Sequence, residues 1–259
     1  VSLQRRALLE RLVFLAFSLL VAWALKRHYS VATAEELRWV LEPTTALTGL
    51  VLNAEFVFRA GEGYLSRELS ILVGPACAGV NFLIIAFLSL VFGFGQALDG
   101  LRRRLVGLLA ALFIAYLSTL LVNTLRISAS VWGAHLAARF FGLTFHSVHR
   151  LVGVTVYLAG LVVLCLTVRA VLGGRMRLLS RRLTLVMALG SYLGVTLLLP
   201  LLRGAGKSAE YWAHAAPVAA LAGAFATTIL FASRVRRAAR RGSPSPERQM
   251  ARESLVEAQ

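Results

Sequence analysis

Three short stretches of the chain carry the residue types that acyl-transfer chemistry uses. Gly74-Pro75-Ala76-Cys77-Ala78-Gly79-Val80-Asn81 supplies a thiol. Asn123-Thr124-Leu125-Arg126 supplies a guanidinium. His146-Ser147-Val148-His149-Arg150-Leu151-Val152-Gly153 supplies imidazoles. An ionised thiol is a strong nucleophile, and an imidazole is the usual group to take its proton and return it to a leaving amine. A guanidinium steadies a thiolate or a developing oxyanion. Pro75 predicts a helix beginning near Cys77, which would place the thiol where free backbone N–H groups and the helix dipole favour negative charge. Arg126 is expected to close a helix, at the end where a cation is stabilised.

Each residue also has a plainer reading. A free cysteine often serves as a small buried hydrophobe, and Cys165, deep in a Leu/Val/Thr run, is read that way. Arg126 alone could be a snorkelling side chain at a membrane interface, and His149 alone a capping residue. Asn81, one turn after Cys77, either orients the site or bonds a neighbouring helix. Asn123 and His146 are further supporting candidates. His146 and His149 have the spacing of half a metal site, but no other histidine or carboxylate cluster completes it, so no metal and no cofactor are assigned. His28, His135 and His214 read as interfacial residues.

The elements that must position these groups are membrane helices. The 259 residues are 58% hydrophobic and 15% charged, with mean hydropathy +0.73, far from a typical soluble composition. Apolar runs long enough for a core of about 30 Å fall roughly at 7–25, 71–94, 105–125, 151–172, 183–202 and 215–233. Weaker segments at 42–58 and 127–141 bring the expectation to six to eight membrane-embedded helices in an all-α bundle. The first run has a basic flank but no small-residue cleavage site, and reads as a retained span or signal anchor. The net charge of +16 would suggest nucleic acid in a soluble chain. Here the arginines sit between apolar runs as topology signals, with a secondary attraction to anionic head groups, and no nucleic acid is expected.

The positive-inside rule places the basic groups at Arg5–Arg11, Arg102–Arg104, Arg169–Arg182 and from Arg234 onward on the cytoplasmic side. Those hold 18 of the 28 Lys and Arg, while seven of the 12 acids fall in the outer segments. Six spans with both ends inside satisfy this, and Cys77, Arg126 and His149 then meet at one outer face. Residues 1–233 form the expected membrane domain, with the motifs in 71–164, and 234–259 a disordered basic cytoplasmic tail.

Taken in order, Cys77-Ala78-Gly79, Asn123-Thr124-Leu125-Arg126 and His149-Arg150-Leu151-Val152-Gly153 resemble the three signature boxes of the exosortase/archaeosortase family, multispan membrane cysteine transpeptidases. Ala78 stands where that family more commonly has Ser. The resemblance spans about 71 to 164 and implies Cys77, Arg126 and His149 as the catalytic set. It further implies cleavage of exported proteins bearing a C-terminal motif, a transmembrane helix and a basic tail, at the outer face of the cytoplasmic membrane. The alternative is a non-enzymatic transporter or assembly factor that binds an anionic substrate through Arg126 and His149. Oligomeric state is not specified by the sequence.

Overall fold

The computed structural model describes residues 2–95, 98–141, 145–173, 181–202 and 204–242. The chain is an all-α helical bundle with one small sheet. Among the described residues five helical segments are long and apolar enough to cross a membrane: Leu8–Val31, Pro75–Phe94, Leu101–Gly133, Val148–Leu172 and Leu183–Leu202. The chain divides into two compact units, 1–215 and 216–259. The second, as far as it is described, is the continuation of the last helix.

In the first unit α1 (Ser2–Val31) leads through a short turn to α2 (Arg38–Leu52). Strands β1 (Val57–Arg59), β2 (Gly63–Ser66) and β3 (Ile71–Val73) follow, antiparallel in the order β1-β2-β3. A 3₁₀ turn, Pro75–Cys77, leads into α3 (Val80–Phe94). Then come α4 (Leu101–Phe141), α5 (Phe145–Leu172), α6 (Arg181–Leu193) and α7 (Leu199–Leu202). A π-helical segment, Gly194–Leu198, joins α6 to α7. The last helix, α8, runs from Ala209 to Gly242.

The core is built round α3. It is apolar on every side, and 13 of its 15 residues are buried. A helix apolar all round belongs in the interior, and α3 packs against α1, α4, α5 and α6. The outer helices turn large apolar side chains outward: Leu109, Phe113 and Leu121 on α4 are 62–66% exposed. The opposite face of α4 buries Thr119, Asn123, Thr124, Ser128 and Ser130. Polar residues gathered on the inward face of a membrane helix are expensive and mark function.

Four expectations change. The run at 71–94 is not one helix. Ile71–Val73 is a strand, registered Tyr64↔Val73, Leu65↔Leu72 and Ser66↔Ile71. Gly74, Pro75 and Gly79 then break the chain, Gly79 at φ +75°, and α3 starts only at Val80. Second, the segment at 127–141 is the direct continuation of the third span. Together they make α4, 41 residues and about 61 Å long. Arg126 is therefore interior to a helix, not at its C-terminus.

Third, the segment at 42–58 is α2 followed by β1, with Asn53 in the left-handed conformation as the helix C-cap. Fourth, the expected span at 215–233 lies within α8, whose side chains are described only to Thr228, and α8 remains helical to Gly242 into the expected tail. Residues 243–259 lie outside the described residues.

The non-spanning parts are tied down by specific bonds. Pro43 has no N–H, so the carbonyl of Trp39, four residues earlier, loses its helical partner. The Tyr116 hydroxyl of α4 donates to that carbonyl at 2.7 Å. In the α1–α2 turn, Thr33 and Glu36 cap one another: Thr33 N–H donates to Glu36 Oε2 at 2.9 Å, and Glu36 N–H to Thr33 Oγ1 at 3.4 Å. Glu35 accepts from the Gly61 N–H at 2.6 Å, fastening the β1–β2 turn. That bond holds the Glu35 carboxyl below its usual range, helped by Thr33.

Candidate active site

The site forms where the N-terminal approach to α3 meets the inner faces of α4 and α5. Cys77 ends the 3₁₀ turn and is half-buried. Pro75 suits the first position of such a turn, and the Cys77 N–H donates to the Gly74 carbonyl at 2.8 Å. The thiol thus lies before α3 rather than in its first turn. Neither Cys77 nor Cys165 is in a disulfide, and Cys165 is fully buried on α5.

Asn123 binds the Cys77 backbone to α4. Its Nδ2 donates to the Cys77 carbonyl at 2.7 Å, while its Oδ1 accepts from Tyr157 Oη at 2.8 Å and from Arg126 Nη1 at 3.4 Å. Arg126 Nη1 also donates to Tyr157 Oη at 3.1 Å, and the guanidinium lies 5.1 Å from the Tyr157 ring centroid. Arg126 Nη2 donates to His149 Nε2 at 2.7 Å. Arg has no lone pair to accept with, so His149 Nε2 must be the acceptor. The ring proton then sits on Nδ1, which donates to Ser130 Oγ at 3.0 Å. Ser130 in turn donates to the Arg126 carbonyl at 2.7 Å. No carboxylate was identifiable in the sequence to orient His149; the Ser130 hydroxyl does so.

The glycines of the first and third motifs have a physical reason. A Cβ at Gly79 would sit 3.0 Å from Asn123 Cγ, and Gly79 is left-handed besides. A Cβ at Gly153 would sit 2.9 Å from Arg126 Nε. Each glycine therefore admits a polar side chain of the Asn123–Arg126 segment, and the three motifs fit one another in space.

Asn81 accepts from Lys26 Nζ of α1 at 2.7 Å, and Lys26 lies 5.4 Å from the Tyr29 ring centroid. Tyr29 is within electrostatic range of both Cys77 and Arg126. A cavity of about 620 Å³ opens beside the network, lined by residues that include Asn81, Arg126, His149, Arg150, Tyr157 and Thr196. Cys77 is not part of its wall. The hydrogen bonds among the described residues reach Cys77 through its backbone, not its sulfur.

The structure thus draws Cys77, Arg126, His149 and Asn123 into one bonded network and sets Asn81 at its edge. The His146 side chain lies outside the described residues. Among the described residues no three His, Cys, Asp or Glu side chains converge as metal ligands would. Sequence reasoning missed Ser130, Tyr157, Tyr29 and Lys26. Ser130 is four residues after Arg126, and Tyr157 eight after His149, so helical spacing puts each on the motif face. That spacing was the available signal. Comparison with family models, with curated proteins and with solved structures finds no match to this chain.

Proposed function

We propose that the protein is a membrane-embedded cysteine protease or transpeptidase of exosortase type. In this reading it cleaves the C-terminal sorting signals of exported proteins at the outer face of the cytoplasmic membrane. The observation that carries the reading is the bonded unit of Asn123, Arg126, Tyr157 and His149, anchored on the Cys77 carbonyl and admitted by Gly79 and Gly153. That motifs far apart in the chain interlock in this way supports a common role for them.

In the reaction, the Cys77 sulfur attacks the scissile carbonyl and its proton passes to His149. The carbonyl π electrons move onto oxygen and return as the C–N bond breaks. The departing amine takes the proton from His149, leaving a thioester on Cys77. An amine acceptor or water then attacks the thioester and regenerates the thiol.

Arg126 gates this sequence. The lone pair of His149 Nε2 cannot hold both the guanidinium and a proton. The guanidinium must therefore move off His149 as the imidazole receives the thiol proton there. A thiolate or a tetrahedral oxyanion is the stronger, charge-assisted partner that draws it away. The resting contact at 2.7 Å holds Arg126 against His149 until that charge develops.

The test is expression of a substrate with a C-terminal signal beside each variant, reading its cut and uncut sizes on a gel. Cys77→Ala, Arg126→Ala and His149→Ala should each abolish cutting while the protein still accumulates in membranes. Arg126→Lys should rescue poorly, because lysine lacks the planar fork. The double variants should be no worse than the singles, as expected of residues acting as one unit. Cutting by Cys77→Ala would end the protease reading.

A further inference from the structure

We infer that the cavity beside the network is a binding site for a phosphate-type oxyanion. It is walled by α3, α4, α5, α6, the π-helical segment and the start of α8. Arg126 and Arg150 both reach it, and among the described residues no Asp or Glu is in its lining. Among the described residues every partner of the two guanidiniums is neutral. Arg126 bonds the Asn123 amide oxygen, the Tyr157 hydroxyl and the His149 ring, and Arg150 bonds only the Ala213 carbonyl, at 3.2 Å. Arg126 Nε is buried with no hydrogen-bond partner among the described residues.

Two guanidiniums lining one cavity repel each other unless an anion meets them. Among the described residues the resting site supplies hydrogen-bond acceptors and no carboxylate partner for either guanidinium, and a cavity lies beside them where an anion fits. The donors suit an anion with several oxygens. Besides the two guanidiniums, the Asn81 amide oxygen is taken by Lys26, which leaves the Asn81 N–H groups as donors at the wall. Arginine forks with amide donors around them are the common arrangement for phosphate. The volume, about 620 Å³, is that of a site for a molecule rather than a bare ion. Ile85 and Val154 add apolar wall for the remainder of such a molecule.

The inference goes beyond the cleavage reading; the cavity shares Arg126 and His149 with the proposed catalytic unit but not Cys77, which is not in its wall. The experiment therefore uses Cys77→Ala protein, purified in a phosphate-free maltoside detergent. Thermal unfolding is followed with inorganic phosphate, with phosphatidylglycerol, and with diacylglycerol carrying the same chains but no phosphate. Chloride at matched ionic strength is the control. Stabilisation by inorganic phosphate assigns a soluble source. Stabilisation by phosphatidylglycerol alone assigns a lipid head group. In either case Arg150→Gln, in the same Cys77→Ala background, should weaken the apparent affinity at least about tenfold, the equivalent of about 1.4 kcal/mol.

Protection of Arg126 and Arg150 from phenylglyoxal by the same probes needs no arginine variant, and it serves if Arg150→Gln does not accumulate. Equal responses to phosphatidylglycerol and diacylglycerol with none to phosphate, or an Arg150→Gln protein that binds as tightly as its parent, would overturn the site. So would unprotected arginines. Cutting of substrate by Cys77→Ala would overturn the protease reading and leave this one standing.

Discussion

Gly153 shows how one missing methyl group can serve a site. A Cβ there would press on Arg126 Nε at 2.9 Å. The far end of an arginine can swing away, so the fold should tolerate the methyl while the guanidinium loses its place. Gly153→Ala is expected to lower cleavage about 100-fold, the scale of an ångström-sized misplacement, with little change in thermal stability. Ser130→Ala should act differently. It removes the acceptor for His149 Nδ1 and frees the ring to change tautomer, so the pH profile of cleavage should shift, and Ser130→Thr should restore it. A Ser130→Ala protein with an unchanged profile would mean that the hydroxyl only packs. The residue types and spacing of the motifs were legible in the sequence because thiol, guanidinium, imidazole and glycine are chemically distinctive. Ser130 was not, because a serine on an apolar helix usually bonds back to its own backbone, as this one also does. What sets it apart is the second bond, which only the tertiary structure brings within reach.

At the level of elements, hydropathy located the helices and misjudged their ends. The third span was expected to stop near Arg126 because apolar residues thin out there. Helical hydrogen bonds do not depend on hydropathy, and nothing in residues 126–131 breaks them, so α4 runs on. The opposite error occurred at 71–79, where an apolar run concealed a strand. The breakers Gly74, Pro75 and Gly79 were in view, but β3 needed a partner from β2 that one-dimensional reading does not supply. The short α2 depends on such partners as well. Tyr116→Phe removes the only donor found for the Trp39 carbonyl that Pro43 leaves open among the described residues. An ordinary hydrogen bond of this kind contributes about 0.5–1.5 kcal/mol. Thermal unfolding in detergent should fall accordingly, and Pro43→Ala, which restores the helical N–H, should recover most of the loss. Failure of that recovery would place the role of Tyr116 elsewhere.

For the whole molecule, the charge pattern predicts both termini on the cytoplasmic side and the sheet outside. Glu62 sits in the exposed β1–β2 turn, so a cysteine introduced there should react with a membrane-impermeant maleimide in intact cells. Reaction only after permeabilisation would invert the topology. The parent for that test is a Cys77→Ala, Cys165→Ala protein, so that the introduced thiol is the only one. Cys165, fully exposed to neither water nor substrate and packed within α5, should be replaceable without effect on cleavage. The all-α class was legible from composition alone, since few other architectures satisfy their backbones in lipid.

The uninterrupted length of α4 has one more consequence. From the exposed Arg103 to Arg126 is 23 residues of continuous helix, about 35 Å, close to the thickness of a bilayer core with its edges. The helix is therefore a ruler with a charge at each mark. With Arg103 held among the head groups of one leaflet, Arg126 stands at a fixed height near the other, and the network that depends on it stands there too. Such a ruler does not stretch. In a thinner bilayer the far mark rises toward water, and in a thicker one it sinks among the acyl chains, so lipid chain length becomes a setting for the site. A single residue inserted between the two marks would raise Arg126 by about 1.5 Å and also turn it by about 100°, away from His149 and out of register with its own motif.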